Sequence, residues 1–125
     1  MTVKTEGKHT GQFLISEASG SRSRDSVKVT VPANTAYGPG YVLGKLSATG
    51  KHVPYDNAGS DGSESAAAIL FDEARNDTGA SVDLTRTVIN CDAEVRKSDL
   101  QWDDEENDSA AGITDLLALG IKVRE

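Results

Sequence analysis

Cysteine is nearly absent: Cys91 is the single one, which excludes an intrachain disulfide. It lies in the apolar-rich stretch Thr87-Val88-Ile89-Asn90-Cys91 and reads as a buried inert thiol rather than a nucleophile. The two histidines, His9 and His52, are far apart and have no paired cysteines, so no zinc-type ligand set arises. Large rings are scarce as well, with one tryptophan, two phenylalanines and three tyrosines. The core is therefore modest, a mild argument for oligomerisation, which buries further surface without lengthening the chain. No apolar run approaches the roughly 20 residues of a membrane span. The N-terminus is polar, without a secretory hydrophobic region, so the expectation is a protein kept in a cytoplasm until it assembles with something.

Basic charge is in short supply. The formal net charge is −7, and a phosphate backbone repels such a chain, which argues against a nucleic-acid partner. The deficit is uneven. Residues 1–52 carry seven basic and three acidic side chains, whereas residues 53–125 carry six basic and seventeen acidic. A mildly basic front and a strongly acidic back suggest two faces with different tasks, or chance clustering on an acidic protein.

The 125 residues fit one domain. Residues 1–12 are polar and cannot nucleate a core, so they read as a mobile leader. A short apolar run follows, Phe13-Leu14-Ile15, then Ser16-Glu17-Ala18 and the joint Ser19-Gly20-Ser21-Arg22-Ser23-Arg24-Asp25. An apolar tripeptide between flexible stretches suits a segment reserved for a partner; the competing reading is an ordinary first strand of the core. Regular structure is expected from Ser26. Val27, Val29 and Val31 alternate with Lys28 and Thr30 as in a half-buried strand that Pro32 ends. Tyr37-Gly38-Pro39-Gly40 reads as a turn, and residues 41–46 and 51–55 as a hairpin with Gly44 a candidate bulge. Residues 56–65 read as a polar loop, 66–71 as a buried strand, 76–79 as a turn, 81–89 as a strand, and Ala93 and Val95 as a shorter one. A helix is expected over residues 109–119. Its cap would be Asp108 or Ser109, its apolar stripe Ile113, Leu116, Leu117 and Leu119, and Gly120 follows it. Ile121 and Val123 make a last strand. The fold class is mainly β with one C-terminal helix, a flexible arm over residues 1–25 and a β-rich domain over 26–125.

No stretch carries recognisable chemistry. Aligning Asp61-Gly62 with a calcium loop puts Asn57 first, Gly59 third and Ala68 twelfth, so the ligand pattern fails. Asp103-Asp104-Glu105-Glu106 reads as a solvated approach to the helix rather than a metal cluster. There is no G-x-S-x-G elbow, phosphate-binding loop or dinucleotide fingerprint, and nothing calls for a metal or cofactor. Asn76-Asp77-Thr78 and Asn107-Asp108-Ser109 match a glycosylation sequon, which means little without secretion. Trp102 reads as a core or subunit-contact anchor.

Three groups of residues carry a resemblance to lambda-like phage head decoration proteins, in their longer-armed branch. The first is Phe13-Leu14-Ile15-Ser16-Glu17-Ala18, Gly20, Arg22-Ser23-Arg24-Asp25 and Val42-Leu43-Gly44. The second is Leu43 to Leu46, Val53-Pro54-Tyr55-Asp56, Asp61-Gly62 and Ala66-Ala67-Ala68-Ile69-Leu70. The third is Asp99-Leu100-Gln101-Trp102 with its acidic linker, helix and final strand. The resemblance implies a β-clip-like partial barrel with the helix packed on it. It also implies a homotrimer on the outer surface of the expanded capsid, at threefold and quasi-threefold positions, holding major capsid proteins against the pressure of packaged DNA. It implies no enzymatic activity, no nucleic-acid or membrane partner, and location in the virion. On this reading Phe13, Leu14, Ile15, Ser16, Glu17, Arg22 and Arg24 bind the capsid: the apolar run adds as a strand to a capsid sheet edge and the arginines pair with capsid carboxylates. Two other classes compete, a phage tail or fibre component and a small trimeric β enzyme with sites between subunits.

Overall fold

The computed structural model describes residues 9–18 and 22–125. Among these residues ten strands and one α-helix follow one another, with a 3-10 turn at Lys97–Asp99: β1 (Leu14–Glu17), β2 (Arg24–Val31), β3 (Thr35–Tyr37), β4 (Val42–Lys45), β5 (His52–Pro54), β6 (Ala66–Leu70), β7 (Ala74–Asn76), β8 (Val82–Ile89), β9 (Ala93–Arg96), α1 (Glu105–Ala118) and β10 (Ile121–Arg124). Five of them close a barrel in the order β2-β5-β4-β6-β8; β1-β9-β10 form a second sheet and β3-β7 a two-stranded ribbon. The mainly β fold with a barrel and a single C-terminal helix is the class expected from the sequence.

The valine alternation of β2 does what its period requires: Val29 and Val31 are fully buried while Lys28 is exposed. β2 runs antiparallel to β8 in unbroken register from Arg24↔Ile89 to Val31↔Val82. β4 and β6 are buried on both faces, which explains their near-continuous apolar runs. Leu43, Ala68 and Leu70 fill the barrel with Val29, Val31 and Val88. Val42 and Ile69 point the other way, into a second cluster with Phe13, Val95, Leu116 and Ile121 that joins barrel, outer sheet and helix. The register slips beside Gly44, but the extra residue lies on the partner strand: Leu43 faces Ala68 and Gly44 faces Ala66, so Ala67 of β6, not Gly44, is bulged. A Cβ on Gly44 would stand 2.7 Å from the Ser63 backbone, so only glycine admits that close pass.

Two expectations are corrected. The helix begins at Glu105, not Ser109, because Asp104 is the N-cap, its carboxylate accepting from the Asn107 amide. Glu105, Glu106 and Asp108 occupy the first turn, where carboxylates suit the positive end of the helix dipole. The acidic run is thus largely helix rather than an open approach. Asp108 is buried and accepts from the Asn57 and Asp104 amides at 3.0 and 3.2 Å, fastening the loop before β6 to α1. Residues 37 and 76, read as turn positions, instead end β3 and β7. The buried Asn76 amide holds that ribbon, its Nδ2 donating to the Val31, Pro32 and Ala80 carbonyls at 2.8 to 3.0 Å.

Candidate binding edge at the first strand

The segment expected to stand apart from the body is part of it. Gly11 N donates to the Phe71 carbonyl, Arg96 N donates to the Phe13 carbonyl, and Ala18 N donates to that of Asp92. β1 pairs antiparallel with β9, Leu14 opposite Val95, Ser16 opposite Glu94 and Glu17 opposite Ala93. Phe13 is 1% exposed and meets Phe71 edge-on at 6.4 Å between ring centres. The chain therefore joins the body well before Ser26, and the boundary expected between residues 25 and 26 does not separate an independent arm among the described residues. The physical reason is that Phe13, a large ring in an aromatic-poor chain, is worth more inside a core than outside it. Residues 1–8 and 19–21 of the expected arm lie outside the described residues.

Among the described residues β1 is an edge strand, with β9 on one side only. Register slips between Leu14 and Ser16, so Ile15 is the bulged residue. It is 43% exposed, one of two large apolar side chains left open among the described residues, Leu117 on α1 at 62% being the other. A bulge re-aims a side chain and interrupts pairing. Ile15 is thus held outward by a strand whose neighbour Phe13 is locked inward.

The polar members of the expected site are partly committed within the chain. Glu17 receives the Arg24 guanidinium, with Nη2 at 2.6 Å and Nε at 3.0 to 3.1 Å, and the Ser23 hydroxyl at 2.5 Å. The Arg24 bonds, then that of Ser23, hold the Glu17 carboxyl below the ordinary carboxylate range. Arg24 also lies over the Phe71 ring, 4.2 Å from its centre. Phe13, Phe71, Arg24 and Glu17 therefore form one connected clasp that fastens β1 to the start of β2. Arg24, expected to pair with a capsid carboxylate, already has an internal one. Arg22 is freer: its Nε is 3.8 Å from Asp92 and its side chain is largely exposed. Ser16 donates to Glu94 at 3.1 Å, and Arg124 reaches the same carboxylate at 2.7 Å. Phe71 and Ser23 are participants the sequence reading missed; the only hint was Phe71 closing the apolar run 66–71. Cys91 is half-buried, its thiol donating to the Arg22 carbonyl at 3.3 Å.

Elsewhere, the polar loop over residues 56–65 stays largely exposed and is braced by its own side chains. Ser63 donates through both its amide and hydroxyl to Asp61, and Gly62 N to Glu64. Among the described residues no group of three or more histidine, cysteine, aspartate or glutamate side chains could hold a metal ion. No described helix is long and apolar enough to cross a membrane.

A small β body that leaves one apolar side chain on an open, bulged strand edge belongs to the class of binding and structural modules. The family model for bacteriophage lambda head decoration protein D matches residues 3–121, and the chain belongs to that family. It is a decoration protein of the phage head, a structural component of the virion capsid. No individually curated protein matches the sequence.

Proposed function

We propose that the protein cements the expanded capsid from outside, as a homotrimer at threefold and quasi-threefold positions, and steadies it against the pressure of packaged DNA. The major capsid protein is its partner, and the host cytoplasm holds it before assembly. The observation that carries the reading is Ile15, 43% exposed at the bulge of an edge strand that the buried Phe13, just before it, anchors to the core. In this mode the free edge of β1 meets an extended capsid segment by strand addition. Ile15 enters an apolar pocket of the partner, Ser16 and Arg22 contact its polar rim, and Phe13, Leu14, Glu17 and Arg24 keep the edge in shape. Three edges in one trimer act together, raising binding by about 10²–10⁴ over a single one. Preference for the expanded lattice stabilises that lattice by linkage. The net charge of −7 suits a position outside the shell, away from DNA.

The test is decoration of emptied, expanded heads with parent protein, Ile15→Asp and Arg22→Glu, followed by heat stress. Saturable binding with protection by the parent, and loss of both by Ile15→Asp, is expected. An Ile15→Asp protein that saturates and protects heads like the parent would move the docking surface off β1.

A further inference from the structure

The barrel closes on a thin seam. β2 and β5 share one register pair, Val29 with His52, while from Lys28 back to Arg24 β2 is strand-paired with β8 alone. A cavity of about 450 Å³ opens beside this seam, with Asp25, Lys28, Lys45, Lys51, His52 and Asn90 in its lining. Three lysines stand in the lining beside Asp25, and Asp83, bonded to Lys51 and near Lys28, offsets part of their charge, so the hollow stays cationic by about one charge on a chain of net charge −7.

The charges are not equally occupied. Lys51 is paired with Asp83 at 2.7 Å, and Lys28 donates to a neutral partner, the Thr85 hydroxyl, at 2.6 Å. Lys45 stands opposite His52 in the β4–β5 register, and its ammonium has no hydrogen bond or ion pair among the described residues. Asp25, the one carboxylate in the lining, is already met by the Ser26 amide and the Asn90 side chain. His52 is 5% exposed and its buried Nδ1 has no partner. A buried polar atom left unpaired costs free energy, and where it recurs with unneutralised charge it calls for an explanation.

We propose that this cavity is a binding site for an oxyanion, a carboxylate or sulfate-type group, held by the Lys45 and Lys28 ammoniums and by the His52 ring. Low-dielectric walls around charges of one sign focus the field and concentrate counter-ions. Burial, and then Lys45, keep His52 below its ordinary pKa, with Asp25 pulling the other way. An anion between Lys45 and the ring reverses that balance and favours the imidazolium, which then donates to it. The oxyanion has two sources, a free anion in solution or a carboxylate side chain presented by the capsid.

The test uses isotope-labelled full-length protein. Sodium sulfate is titrated at pH 6 against sodium chloride of matched ionic strength, following the His52 ring resonances. Saturable shifts with sulfate alone, and a rise in the His52 pKa when sulfate is bound, are expected. Lys45→Met should weaken binding at least tenfold while leaving the melting temperature near the parent's, and Lys122→Met, on β10, should bind as the parent does. Superimposable sulfate and chloride titrations, or full binding by a folded Lys45→Met protein, would overturn the proposal. A second arm assigns the source without bearing on how β1 acts. Sulfate that slows decoration of heads by the parent more than by Lys45→Met points to a capsid carboxylate. Sulfate that binds at His52 without altering decoration points to a free anion.

Discussion

Replacing Phe13 by alanine separates two roles that the sequence allowed for the same tripeptide. Phe13 is 1% exposed, packs in the cluster that includes Val42, Val95, Leu116 and Ile121, and meets Phe71 edge-on. Removing a buried phenylalanine ring costs about 3–5 kcal/mol, from lost transfer energy plus the cavity left behind. The upper half of that range applies, because the Phe71 ring that Arg24 covers also loses its partner. A domain of this kind has about 5–15 kcal/mol in total, so the variant sits close to the edge of folding. Denaturant titration at fixed protein concentration, with the slope monitored, measures the loss. For the same reason, deleting residues 1–25, which removes β1 and the first two residues of β2, should impair folding rather than merely docking. A loss below about 1 kcal/mol for Phe13→Ala, the ordinary range of surface substitutions, would refute the placement of β1 in the body and restore a detachable arm.

Ile15→Asp should change stability by less than about 1 kcal/mol, since the side chain is already half in water, so a melting curve near the parent's paired with lost head decoration is the expected outcome. Gly112→Ala should destabilise by about 1–3 kcal/mol through overpacking, although the same change in an open helix stabilises; an added Cβ would stand 2.3 Å from Trp102 Cζ3, and thermal melts decide. Asn76→Ala should cost about 2–3 kcal/mol by leaving buried carbonyls unpaired, checked by denaturant titration and by faster amide exchange at Thr78, whose amide donates to Asn76. Acidification has a definite sign at His52. Its folded pKa is lowered by burial, so below the ordinary value near 6.5 the unfolded chain takes up a proton the folded chain refuses, and stability falls as pH drops through that value. In a buffer free of oxyanions the melting temperature should be flat above neutrality and decline below it, and His52→Gln should flatten the decline.

Alternation and turn residues revealed much of the barrel. Val27, Val29 and Val31 announce β2, and residues 41–55 announce the hairpin, because each periodic side chain meets one core. The alanines of 66–68 favour helix in isolation, yet they form β6, since a strand covered on both faces beside Gly44 has room only for small residues there. The β3–β7 ribbon was not legible. Each strand is three residues long, and the hydrogen bonds of Asn76 that hold the ribbon join residues far apart in sequence. The helix starts four residues before its apolar stripe suggests, because Asp104, Glu105, Glu106 and Asp108 sit at a cap and first turn where the backbone amides attract them. Phe13-Leu14-Ile15 stood out correctly as an unusual segment, but flanking polarity could not reveal that Phe13 and Ile15 divide between inside and outside. That division depends on a bulge against Glu94 and Val95, eighty residues away in the chain.

A pre-formed edge alters the energetics of docking. Ordering a backbone residue costs about 1–2 kcal/mol, so four residues ordered only on contact would oppose binding by roughly 4–8 kcal/mol per subunit. If docking runs through β1 as proposed, its four residues carry none of that cost, because Phe13 and the Glu17–Arg24 clasp have already fixed them during folding. An open strand edge exposes the molecule to pairing with copies of itself, a hazard that natural sheets limit with short edges and bulges. β1 has both features: it is short, and the bulge at Ile15 breaks the even spacing of backbone groups that an identical strand would need. In the proposed docking mode, specificity then comes from a partner edge that accommodates the bulge and pockets the Ile15 side chain. In that mode affinity comes from the three edges of the proposed trimer, each ordered before contact.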